Sequence, residues 1–267
     1  MKKYYSFFRL RFQSGLQYRM ASLTALTTQF MWGLMECLAF KALWESDITA
    51  FPMEYSALVS YIWLRQAFFT LFNTLSTDND IFNMIVDGGI SYELCRPISL
   101  YSMWFSRNIG GRLAQATLRS IPVLCVSFLM PSPFQLRLPI NLNAFLLFII
   151  TMVLGLGVTV AFCMLVYILC FFTISPQGLR MVMTGAVELL SGDLIPLPFI
   201  PEPFRSVIEL LPFASMINVP FRIYSGDLAG SEMIHAIILQ AFWLVVLILI
   251  GSLICKNAEK KVVVQGG

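Results

Sequence analysis

Apolar and polar positions along this chain fall into long blocks. Six apolar stretches reach the roughly 20 residues that cross a bilayer at about 1.5 Å per residue. They lie at 20–43, 55–75, 110–130, 143–167, 176–198 and 233–255. The fourth belongs to an unbroken apolar run from 142 to 174. That run is too long for one upright span and too short for two with a loop. It reads as one long helix that tilts or projects beyond the bilayer, with Gly155 and Gly157 as a close-packing surface or a bend. The fifth stretch is the most polar and ends in prolines.

The segments between them carry patterns of their own. On a helical wheel of residues 2–18, Tyr4, Tyr5, Phe8, Phe12 and Leu16 share one arc. Lys2, Lys3, Ser6, Arg9, Gln13 and Gln17 share the opposite arc, with Leu10 and Arg11 as exceptions. An apolar face with a basic back predicts a helix lying on the membrane surface. In the stretch 76–109, Asp78, Asp80 and Asp87 keep the chain out of lipid, and Ile81, Phe82, Met84 and Ile85 make a short amphipathic turn. Gly88 and Gly89 break it. The helix-sized piece 92–97 follows, with Pro97 enforcing its end. Tyr101, Met103, Trp104 and Phe105 return the chain to the membrane, with Trp104 at headgroup depth.

The stretch 192–228 is dense in proline: Pro196, Pro198, Pro201, Pro203, Pro212 and Pro220 are six of the chain's 13. Phe204, Val207, Ile208 and Leu211 share one face of a short helix, with Arg205 and Glu209 off that face. The segment is too apolar for a free loop and too proline-broken for a span. Two short helices that dip into the outer leaflet are expected, with Arg205, Glu209 and Arg222 at headgroup depth. A proline-kinked surface loop is the alternative.

Composition turns this pattern into a class. Of 267 residues, 58% are hydrophobic and 12% charged, half the usual charged fraction, and mean hydropathy is +0.76. A soluble domain of this length could not hide so much apolar surface, and disordered or coiled-coil classes are excluded as well. The expectation is an all-α integral membrane protein. It would form a single domain over 1–267, with six transmembrane helices, a surface helix within 1–19, an inner loop at 76–109 and an outer segment at 192–228.

A net charge of +3 does not suggest nucleic acid. The six cysteines are scattered without a CxxC pair, which reads as small packing residues rather than disulfides or a zinc site. Lys/Arg asymmetry sets the orientation. With the N-terminus inside, eleven of the 18 basic residues lie in inner segments and three in outer ones, Arg137, Arg205 and Arg222. Both termini are then cytosolic. Arg9 and Arg11 interrupt any signal-peptide core after Lys2 and Lys3, so the N-terminus is expected to stay on the chain.

Five charges fall inside spans: Glu36, Arg65, Arg112, Arg119 and Glu188. Each costs about 3 kcal/mol unless paired or hydrated. Counting residues places Arg65, Arg119 and Glu188 near mid-membrane and Glu36 in the outer half. The pairs Glu36–Arg65 and Arg119–Glu188 are expected, either as structural ties or as the polar lining of a substrate path. Glu36 and Glu188 tilt such a path towards cationic amphiphiles. No GxxxxGK[ST], HExxH or GxSxG occurs, and His235 is the single histidine. A phosphate-binding loop and the common hydrolase motifs are thus missing from the sequence, and energy must come from a gradient or a partner.

Taken together, the segments resemble an ABC-2 type transporter permease across essentially the whole chain. The telling residues are Gly88-Gly89 with Tyr92, Glu93, Leu94, Cys95, Arg96, Pro97 and Ile98 before the third span. Ser191, Gly192, Asp193, Leu194, Ile195, Pro196, Leu197 and Pro198, followed by Glu209, Leu210, Leu211, Pro212 and Phe213, carry the second likeness. The size is similar to the small bacterial branch whose ATPase is a separate chain. The resemblance implies a type V exporter-like fold, with 1–19 as an elbow helix. Glu93, Leu94, Cys95, Arg96, Pro97 and Ile98 would be the coupling helix against the ATPase. Pro196, Pro198, Phe204, Ile208, Leu211 and Pro212 would form an outer gate. It implies no cofactor in this chain, ATP and Mg being held by two copies of a cytosolic ATPase. It also implies a second permease chain, identical or paralogous, in a bacterial inner membrane. Glu36, Arg65, Arg119 and Glu188 remain the substrate-path candidates. The competing readings are a secondary transporter or channel, against which the absence of internal repeats argues, and a lipid-modifying membrane enzyme.

Overall fold

A computed structural model describes residues 2–17, 19–49, 51–74, 79–87, 89–173 and 175–261. Among them are eleven α-helices and no strand. In chain order they are α1 Lys2–Gly15, α2 Arg19–Ser46, α3 Tyr55–Phe72, α4 Asn79–Val86, α5 Ser91–Leu94 and α6 Leu100–Leu129. Then come α7 Leu142–Cys170, α8 Pro176–Leu190, α9 Phe204–Glu209, α10 Asn218–Ser225 and α11 Gly230–Lys261.

The centre of the bundle is α3. Leu58, Val59, Tyr61, Ile62, Trp63 and Leu64 are all buried, so this helix is covered on every side, by α2, α6, α7 and α10. Its polar tips are satisfied by neighbouring backbone. Tyr61 Oη donates to Gly192 O at 2.9 Å, Trp63 Nε1 to Phe134 O at 2.8 Å and Tyr55 Oη to Cys37 O at 2.9 Å. Small residues let the other helices close in. A Cβ on Gly33 would sit 2.9 Å from the Trp63 ring, and one on Gly110 2.7 Å from Phe8 O. The second contact seats α1 along α6.

By length and composition, α7 and α11 are able to cross a membrane. The exposed side of α11 repeats every three or four residues: Ile234, Ile238, Phe242, Val245, Leu249 and Leu253. That stripe covers 19 residue steps, about 28 Å, close to the hydrocarbon thickness of a bilayer. Water is a poor solvent for it and lipid a good one. The apolar run does form one long helix, α7, over Leu142–Cys170. Gly155 and Gly157 are its close-packing surface: a Cβ would meet Met216 O at 2.5 Å and Leu244 at 2.8 Å respectively.

The largest differences between element ends and the sequence expectation are at α6 and α8. α6 begins at Leu100, ten residues before 110, because Leu100, Met103 and Trp104 are buried against the bundle. Trp104 is therefore a core residue and not a headgroup anchor. α8 stops at Leu190, short of 198. Gly192 then takes φ +85°, a left-handed conformation that ends the helix, and the Tyr61 hydroxyl holds its carbonyl. At 15 residues α8 is only about 22 Å long.

The connections collect at two ends. Arg137 pairs with Glu54 at 3.0 Å and Phe51 meets Phe199 at 5.0 Å, which brings the 47–54 and 130–141 connections to the proline-rich segment. At the opposite end, α4 and α5 lie beside the start of α6, the start of α8 and the last turns of α11.

Candidate functional site

Two constellations of polar residues stand out, one inside the bundle and one at the α5 end. The first is a cavity of about 340 Å³ between α2, α3 and the end of α8. Spacing on α2 explains its wall. Gln29, Gly33 and Cys37 recur every four residues and are buried in the seam with α3, which turns Trp32 and Glu36 to the rim. Arg65 of α3, 6% exposed, ion-pairs with Glu36. This is the pair expected from the sequence.

Glu188 lines the same cavity with Asp193, Gln66 and Phe69. The expected Arg119–Glu188 pair does not form. α8 packs along α7 and turns Glu188 towards Arg65, while Arg119 sits half-buried on α6 with its Nε unpartnered. Three of the four path candidates thus meet in one place, and Arg119 does not join them. Sequence reasoning missed Gln29 and Trp32 as lining residues. Their signal was the helical spacing 29, 32, 36, which puts a polar side chain seven residues from Glu36 on one face.

Arg112 has a different role from the other charges expected within spans. Its guanidinium donates to Asn108 Oδ1 at 2.6 Å, Leu71 O at 2.8 Å, Asn73 O at 2.9 Å and Cys163 Sγ at 3.2 Å. It caps the carbonyl end of α3, where a positive charge complements the helix dipole.

At the other constellation, α5 is a single short turn that ends at Leu94, three residues before Pro97. Glu93 points inward, 8% exposed. It accepts hydrogen bonds from Trp104 Nε1 and from Arg107 Nη1, the latter at 3.1 Å. Arg107 lies 4.0 Å from Asp80 of α4, and Asp80 pairs with Arg11 of α1 at 3.4 Å. Four elements are tied by one chain of charges. Leu94 and Ile98 pack on the core. Cys95, Arg96 and Pro97 are left exposed beside Tyr92, with the Arg96 guanidinium 5.9 Å from the Phe7 ring.

In the proline-rich segment, Pro196 and Pro198 are buried around a 3-10 turn at Leu197–Phe199. On α9, Phe204 is exposed, and Ile208 is half-buried like Leu211 and Pro212 beyond it. α10 is buried along its length against α3 and α7. Arg222 was expected at headgroup depth. Instead it is 7% exposed and pairs with Asp227 and with Glu209, the latter at 2.8 Å. Gln240 of α11 locks the segment in place by donating to Ser215 O at 2.8 Å and Thr151 O at 3.0 Å.

Among the described residues no group of three or more His, Cys, Asp or Glu side chains is placed to hold a metal ion. The family model described as ABC-2 family transporter protein matches residues 30–266. No curated protein matches the chain.

Proposed function

This chain belongs to the ABC-2 family of transporter membrane proteins, and we propose that it is the permease subunit of an ABC exporter driven by a separate ATPase. The observation that carries the reading is the construction of the α5 end. Glu93 is pinned inside by Trp104 and Arg107, while Cys95, Arg96 and Pro97 stand clear of the bundle. A subunit that receives motion from a partner needs such a short projection fixed rigidly to long helices. Here α6 runs directly from it for 30 residues, and the Arg107–Asp80–Arg11 ties carry α1 and α4 with it.

In this reading the α5 end faces the cytosol and meets two ATPase copies, which hold ATP and Mg. α1 lies at the inner surface of a bacterial plasma membrane, and both termini are cytosolic. The proline-rich segment around Pro196, Pro198, Phe204, Ile208, Leu211 and Pro212 closes the outer end. The 340 Å³ cavity between α2, α3 and α8 is half of the path, and a second permease chain supplies the other half. The substrate is an amphiphilic or lipid-like molecule or a drug.

Purification of the chain with and without its neighbouring ATPase subunit tests the reading. The chain alone should hydrolyse no ATP, and the co-expressed pair should form a membrane complex that does. Robust hydrolysis by the chain alone, or failure of any ATPase subunit to co-purify from the native host, would overturn it.

A further inference from the structure

The cavity between α2, α3 and α8 holds more negative charge than the bundle neutralises. Glu36 is matched by Arg65. Glu188 and Asp193 line the same space, and neither makes an ion pair or side-chain hydrogen bond with the described residues. Arg65, already paired with Glu36, also attracts Asp193, so three carboxylates share one guanidinium in an apolar bundle, which is costly.

A second and independent feature lies beside them. Gln29 is 7% exposed, lines the cavity, and has neither its amide oxygen nor its amide nitrogen hydrogen-bonded. A buried carboxamide normally finds partners, and this one has none among the described residues. The remaining wall is aromatic: Trp32 and Phe69 border the charges. Indole and phenyl faces attract cations, more strongly for a weakly hydrated cation than for a hydrated ion. Acid, carboxamide and aromatic ring together fit one ligand chemistry.

We propose that this cavity binds the cationic head of an amphiphile, with Glu188 and Asp193 supplying charge, Gln29 a hydrogen bond and Trp32 and Phe69 the aromatic faces. The assignment rests on the permease reading for its meaning as a transport site, but binding itself can be measured apart from transport. The cation adds the positive charge that Arg65 alone does not supply to three carboxylates. Its apolar part lies along the exposed side of α2, where Met31, Met35 and Leu38 continue the apolar surface.

Two ions of equal shape and opposite charge test this. The full chain with its ATPase, in nanodiscs of neutral phosphatidylcholine, is equilibrated with tetraphenylphosphonium or with tetraphenylborate, and binding to empty discs is subtracted. Saturable binding of the phosphonium alone is expected. The double variant Glu188→Gln with Asp193→Asn should weaken it by at least about tenfold, equivalent to about 1.4 kcal/mol. Dodecylammonium, which has the N–H donors that tetraphenylphosphonium lacks, reports on Gln29: Gln29→Met, which leaves the charge unchanged, should weaken dodecylammonium binding about fivefold, as loss of one hydrogen bond does. Should the double variant fail to fold, Gln29→Met carries the test. Equal binding of the two tetraphenyl ions, unchanged phosphonium affinity in the double variant, or unchanged dodecylammonium affinity in Gln29→Met would overturn the proposal. ATPase retention in the same samples reports separately on the permease reading. Phosphonium binding without a bound ATPase would leave this site standing and remove that reading.

Discussion

Arg112 and Arg65 carry charge into the bundle in different ways. Arg112 needs no acid, because the carbonyls of Leu71 and Asn73, the amide of Asn108 and the thiol of Cys163 surround it. Arg112→Met leaves those carbonyls at the end of α3 without a donor. A loss on the order of 3 kcal/mol is expected, read as a lower thermal midpoint of the purified chain. Arg65 instead depends on Glu36. Arg65→Leu strands the part-buried Glu36 carboxylate, which costs about 3 kcal/mol, the lower end for a broken buried pair. The double variant Arg65→Leu with Glu36→Leu should recover most of that, and the same midpoint in both variants would show that the pair is not coupled. Residue spacing and helical depth made the Glu36–Arg65 pair legible. The same counting failed for Arg119 and Glu188. Depth says how far two side chains lie along the normal, but not which way their helices are turned. α8 faces α7 and the Arg65 cavity, and only tertiary packing decides that.

The α5 element separates two kinds of residue that adjoin in sequence. Arg96 is exposed and Glu93 is internal, so their substitutions should fail differently. Arg96→Glu should leave the chain folded and monodisperse while releasing or uncoupling the ATPase. Glu93→Ala removes the acceptor of Trp104 Nε1 and Arg107. It should loosen α5 from α6, seen as protease cleavage near 91–98 before any loss of ATPase binding. Full ATPase-coupled transport with Arg96→Glu would place the contact elsewhere. The sequence marks this element well by Gly89 on one side and Pro97 on the other, because backbone limits are local. It does not mark the inward turn of Glu93, since Trp104 and Arg107 come from the next helix and reach it only once α6 starts at Leu100. Trp104 looked like a headgroup anchor for the same reason: an indole next to basic residues serves either place until its partner is known. The proline-rich segment divides likewise. Prolines show that it breaks into short pieces, and packing alone shows that α10 is the buried one.

At the scale of the whole molecule, the exposed apolar faces are of two kinds. The stripe on α11 from Ile234 to Leu253 is uniformly apolar, and acyl chains cover it at no cost. The faces of α2 and α8 are different. Met31, Trp32, Met35 and Leu38 on one helix and Met181, Val182 and Leu189 on the other flank the cavity that holds Glu36, Glu188 and Asp193. Lipid against that mouth would touch carboxylates it cannot solvate. α8 also packs on little of the bundle, with only Thr184 and Val187 buried. A helix of about 22 Å so thinly covered is a weak independent span, and it gains its missing contacts if a second permease chain meets it. Cysteine cross-linking in native membranes separates this face from the lipid face. In a background with the exposed Cys95 and Cys125 replaced by serine, Leu189→Cys should give a band of two permease masses on oxidation. Val245→Cys on the α11 stripe, 56% exposed against 61% for Leu189, should not. The two positions share exposure and apolar surroundings, so a difference between them reports on the partner and not on reagent access. Cross-linking at Val245 with none at Leu189 would move the interface to α11. The α2–α8 cavity would then open to lipid, and the charges in it would need a partner from outside the chain.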